Sequence, residues 1–124
     1  MPEPDFGHLL DTTSAPLSQV IPLSTLCAPR AEPEVAFVLG SSIATPGATA
    51  ADVLRATDVL LPAIEVVDSR IADWRITIAD TVADNASSGR FVLGGPPCRV
   101  DGVDLSDVAV ELAGLARSAR RPRG

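Results

Sequence analysis

Glu32-Pro33-Glu34 is followed thirty-one residues later by Glu65, and each acid interrupts an apolar run. Val35-Ala36-Phe37-Val38-Leu39 follows the first pair, while Ala63-Ile64 and Val66-Val67 flank Glu65. Runs of this length and β-branched content predict strands. Side chains alternate along a strand, so Glu32 and Glu34 project to one face. Carboxylates are seldom buried without compensating charge, and three together repel one another. A divalent cation resolves both problems, and all-oxygen ligation suits the hard ions Mg²⁺, Mn²⁺ and Ca²⁺. The spacing alone also fits three acids on a solvated strand face, and Pro33 is a residue of edge strands.

At 124 residues the chain is long enough for one domain, and its 46% apolar content supplies a core. With three Phe, one Trp and no Tyr, that core must be built from Val, Leu, Ile and Ala. No stretch approaches the length of a membrane span, and the start lacks the charged and apolar regions of a signal peptide. Cys27 and Cys98 stand alone, without Cys/His clusters, and are expected to be free, buried thiols of a cytoplasmic protein. His8 is the only histidine and is expected at the surface. Arg117, Arg120, Arg121 and Arg123 form a basic cluster that could meet phosphates. The net charge of −6 and the lack of interleaved aromatics argue against a nucleic-acid partner, so residues 114–124 are expected to form a solvated, disordered basic tail.

The periodicities predict strands over 31–39, 63–67 and 90–93, with a short one over 19–23. Thr49 is placed to cap a helix running from 50 to 60, broken by Pro62. Residues 71–83 fit a strand or a helix. Residues 108–112 fit a last strand, and 105–116 fit a helix nearly as well. The expected fold is mixed α/β, a twisted mixed sheet with the 50–60 helix packed on one face and an exposed apolar edge. Asp68, Arg70 and Asp73 are expected to form an ion-pair cluster, and Trp74 to lie in the core.

Four blocks occur in order: Pro4 to Gly7, Pro29 to Gly40, Pro62 to Trp74, and Asp80 to Gly89. Together they resemble the 2-keto-4-pentenoate hydratase and 4-oxalocrotonate decarboxylase family of the fumarylacetoacetate hydrolase superfamily. The resemblance covers residues 4 to 112 or so. It implies that residues 1–113 form part of a fumarylacetoacetate-hydrolase-like catalytic domain, the family continuing on both sides. It further implies Mg²⁺ or Mn²⁺ held by Glu32, Glu34 and Glu65, and Asp5 of the Pro-Asp-Phe-Gly motif as the acid–base group. Asn85, Ser87 and Ser88 would hold a substrate carboxylate. The implied reaction is metal-dependent addition of water to 2-hydroxypenta-2,4-dienoate, a product of aromatic ring cleavage. The alternatives are decarboxylation of 2-oxo-3-hexenedioate and an inactive remnant. A homo-oligomer, with aldolase or dehydrogenase pathway partners and no membrane, is the implied setting. The family also carries a catalytic lysine upstream of Pro-Asp-Phe-Gly, whereas all ten basic residues here are arginines.

Overall fold

A computed structural model describes residues 4–114. The acidic runs become the two long strands of a three-stranded sheet in the order β1-β2-β3. β1 spans Pro29–Leu39, β2 Thr57–Asp68 and β3 Ser88–Leu93, and both pairings are antiparallel. The α/β class holds, but the strand pairs are antiparallel rather than mixed in sense. Among the described residues a parallel contact enters only as an isolated bridge, where Ser14 meets Phe91 and the Ala15 amide donates to the Phe91 carbonyl at 2.8 Å.

Both prolines inside strands sit where a missing N–H costs little. Pro33 pairs with Ile64 at a rung whose β1 backbone groups face away from β2, so no ladder bond is lost. Pro62 accepts a 2.7 Å bond from the Gly94 amide, so only the reciprocal bond at the last rung of the β2–β3 ladder is absent. Pro62 therefore does not end a helix as expected but lies inside β2.

The expected 50–60 helix is shorter. α1 spans Ala50–Ala56, opened by a capping box in which Thr49 Oγ1 accepts from the Asp52 amide and Asp52 accepts from the Thr49 amide at 2.7 Å. It stops where the Thr57 hydroxyl takes the Val53 carbonyl and the Ala56 carbonyl accepts from the Gly40 amide at 2.8 Å. From Thr57 onward the chain pairs with β1, and that pairing overrides local helix preference. α1 is too short to cover a sheet face, and Leu54 stays 41% exposed.

Residues 71–83 resolve into a 3₁₀ turn at Ala72–Trp74 and a helix, α2, at Ile78–Ala83 behind a second Thr/Asp capping box. Residues 19–23 form no strand; a 3₁₀ turn follows at Leu23–Thr25. Past a 3₁₀ turn at Leu105–Asp107, residues 108–114 form neither the expected strand nor a helix. Val108, Val110 and Leu112 lie against residues of β1 and β2 without pairing with a strand among the described residues. Residues 115–124, which hold nearly all of the expected basic tail, lie outside the described residues.

Among the described residues the buried apolar side chains are Ala15, Ala56, Leu60 and Val67. Leu60 is fixed by a two-way backbone bridge to Cys98 at 2.7 and 2.8 Å. Cys27 and Cys98 are free, as expected, but exposed rather than buried. Trp74 is half-buried at the sheet margin, not in the core. Its Nε1 donates to the Ala28 carbonyl at 3.0 Å, and the Arg30 guanidinium lies 4.2 Å over its ring.

Candidate metal centre

The β1–β2 register places Glu32 directly opposite Glu65, with Glu34 opposite Ala63. All three acids thus share one face at neighbouring rungs. One carboxylate oxygen from each lies within 4.8 Å of the others. Burial pushes the Glu65 carboxyl above its ordinary pKa, and the charges of Glu32, Glu34 and Asp5 push it further. The Ser88 hydroxyl acts the other way on Glu65, without making a hydrogen bond of ordinary geometry.

This donor set fits a hard divalent cation. It is all oxygen, it carries up to three negative charges, and its span matches the 4–5 Å or so across such an ion's ligand shell. On the same face, Glu34 and Glu65 border a cleft of about 280 Å³ walled by Leu9, Ala36, Ala63, Phe91 and Leu93. The alternation of Phe91 and Leu93 in the predicted 90–93 strand was the sequence signal for these walls.

The remaining expected site residues gather around the start of β3. Asp5 is exposed, and its charge is felt at Glu65. Ser87 and Ser88 are buried, and their hydroxyls have no hydrogen-bond partner among the described residues. Asn85 is engaged elsewhere: its Oδ1 accepts from the His8 amide at 2.6 Å and its Nδ2 donates to the His8 carbonyl at 3.0 Å. The amide expected to meet a substrate carboxylate instead ties down the segment that carries Asp5. His8 itself is exposed, as expected.

Asn85, Ala86 and Ser87 are all left-handed, with φ of 53°, 55° and 53°. For L-residues this costs about 1–2 kcal/mol each, so the turn needs anchoring. Arg70 anchors it, donating from Nε to Asp84 Oδ1 at 2.7 Å, from Nη2 to the Asp84 carbonyl at 2.6 Å and from Nη1 to the Ser88 carbonyl at 2.8 Å. The expected Asp68–Arg70–Asp73 cluster therefore does not form. Arg70 turns to Asp84, Asp73 pairs with Arg75, and buried Asp68 accepts the amides of Cys27 and Ala28. Two glycines allow the close approaches involved. A Cβ on Gly7 would lie 2.7 Å from the Asn85 carbonyl oxygen, and one on Gly89 would lie 2.7 Å from that of Val66, at the β2–β3 bulge.

No family model matches the chain. It is 51% identical over 111 residues to a 2-keto-4-pentenoate hydratase of Paraburkholderia xenovorans, covering 90% of this chain and 41% of that protein. A 2-hydroxypent-2,4-dienoate hydratase of Pseudomonas putida is 52% identical over 104 residues, covering 83% of this chain and 47% of the relative. Among solved structures, the 4-oxalocrotonate decarboxylase of Pseudomonas putida, complexed with magnesium and adipate, matches with a TM-score of 0.74 and 38% identity. That match covers 80% of this chain and 38% of the other. The chain spans less than half the length of these relatives, and over that span it is similar in sequence to 2-keto-4-pentenoate hydratases and in fold to a 4-oxalocrotonate decarboxylase.

Proposed function

We propose that this chain carries the metal-binding part of a hydratase acting on 2-hydroxypenta-2,4-dienoate or a close 2-oxo acid. The observation behind this reading is the convergence of Glu32, Glu34 and Glu65 at the mouth of an apolar cleft, in a chain half identical to such hydratases. The three glutamates would hold Mg²⁺ or Mn²⁺; the solved decarboxylases are complexed with magnesium or calcium. When bound, the ion supplies Lewis-acid polarisation of a 2-oxo acid's oxygens.

The chain's own groups account for the rest. Leu9, Phe91 and Leu93 line the space for the short unsaturated tail. The unpartnered Ser87 and Ser88 hydroxyls are donors for the substrate carboxylate. Asp5 moves the proton that leaves the C2 hydroxyl as the terminal carbon gains one, after which water adds at C4. Asn85 serves this arrangement by fixing the Asp5 segment. No helix among the described residues is long and apolar enough to cross a membrane. A cytoplasmic enzyme working as a homo-oligomer beside an aldolase or dehydrogenase fits this chemistry.

Decarboxylation of 2-oxo-3-hexenedioate is the second reading, favoured by the decarboxylase fold match. Calorimetric titration with Mg²⁺, followed by the dienoate or by adipate, separates the two. Mg²⁺ binding that is lost in Glu34→Ala, with dienoate favoured over adipate, is expected. Adipate favoured over dienoate supports the decarboxylase. No Mg²⁺ binding at all sinks both.

A further inference from the structure

We propose that Arg70 is a positioning residue that holds the Asp84–Ser88 turn closed and, through Asn85, fixes the Asp5 segment beside the three glutamates. One guanidinium reaches carbonyls at both ends of the turn, Asp84 and Ser88, and also takes the Asp84 carboxylate. The Arg70 amide adds a 3.2 Å bond to Asp84 Oδ2. Between those anchors lie the three left-handed residues, which would relax to ordinary backbone if the ends parted. Asn85 is the first of the three, so its orientation depends on the closed turn. Its two-point contact with the His8 backbone passes that orientation to residues 5–8. Gly7 permits the approach, having no Cβ to strike the Asn85 carbonyl. At the other end, Ser88 opens β3 next to Glu65, so one clamp sets both flanks of the site.

The clamp is a matter of this chain's geometry; its purpose rests on reading the glutamates as metal ligands and Asp5 as the acid–base group. Lysine keeps the charge but offers a single ammonium, which cannot span three acceptors in a plane. The test is amide hydrogen exchange on the metal-free 124-residue chain, comparing wild type, Arg70→Lys and Asn85→Ala. The reporters are His8, whose amide bonds Asn85, and Ser87, whose amide bonds the Asp84 carbonyl at 3.0 Å. Leu60 and Cys98, bridged to each other, serve as controls.

In Arg70→Lys, His8 and Ser87 should exchange about tenfold faster or more, with the controls unchanged. In Asn85→Ala, only His8 should speed up. Wild-type protection at His8 and Ser87 in Arg70→Lys overturns the proposal, as does a protected His8 in Asn85→Ala. Loss of the controls in Arg70→Lys also overturns it, because Arg70 would then be supporting the whole sheet. Mn²⁺ alone, as a paramagnetic probe, should broaden the Asp5 and His8 amide signals in wild type and broaden them less in both variants at similar Mn²⁺ affinity. Equal broadening in all three counts against the clamp. A wild type that binds no Mn²⁺ defeats the functional reading instead, and the exchange data still decide the clamp.

Discussion

Glu32 and Glu65 face each other across the β1–β2 ladder, where like charges directly opposite destabilise the pairing. Burial and the surrounding acids raise the Glu65 pKa in the folded chain. The folded state therefore keeps this proton to higher pH than the unfolded state does. Stability falls as pH rises from the ordinary carboxylate range through the raised value, and the penalty is full above it. A bound cation competes with that proton and removes the penalty. Mg²⁺ should then raise the melting temperature more at pH 7 than near pH 4, and Glu65→Gln should abolish that response while stabilising the metal-free chain at pH 7. An equal Mg²⁺ effect at both pH values in thermal melts would sink the argument. The convergence of these acids was legible in the sequence, because a period of two puts Glu32 and Glu34 on one face and β-pairing brings Glu65 to them. Arg70 and Asn85 were not legible in this way. Their partners lie 14 and 18 residues away for Arg70 and 77 for Asn85, and several are backbone atoms that carry no sequence signal.

At the scale of elements, strand cores were easier to read than their ends. Leu60 and Leu61 continue the apolar helical face of Val53, Leu54 and Ala56 and fit a strand equally, so the sequence extends α1 where the fold extends β2. The choice is made by Val38, Phe37 and Ala36 across the ladder, which local pattern cannot see. The far end of the same ladder is set by Asp68. Its buried carboxylate accepts the Cys27 amide at 2.9 Å and the Ala28 amide at 2.6 Å, just before β1 begins. That contact fixes where β1 starts, and hence that Glu32 rather than a neighbour meets Glu65. Hydrogen bonds to a charged group contribute about 1.5–3 kcal/mol, so Asp68→Ala should lower stability by at least that much in urea titration. It should also weaken Mg²⁺ binding, although Asp68 is not one of the three clustered acids. A variant as stable as wild type would show that the register is set elsewhere.

Over the whole molecule, apolar content exceeds what the fold buries. Phe37 and Leu39 are 41% and 47% exposed, and the fully buried apolar set is limited to four side chains among the described residues. The outer edge of β1 has no backbone partner among the described residues, and its two halves differ. Glu32, Pro33 and Glu34 guard the first half with charge and a missing N–H, the means by which natural edges avoid pairing. Val35 to Leu39 has no such guard. Val35 and Phe37 follow the same alternation as Pro33, so their amides point outward and can accept another strand. The chain should therefore associate through this half-edge, with a sedimentation-average mass that rises with concentration. Phe37→Lys places a charge there without removing a β1–β2 ladder bond, and should shift the distribution toward monomer while leaving Mg²⁺ affinity in place. A wild type that stays monomeric at high concentration would mean that the edge is covered. Association that persists unchanged in Phe37→Lys would move the contact to another exposed apolar surface, such as the one around Leu17 and Val20.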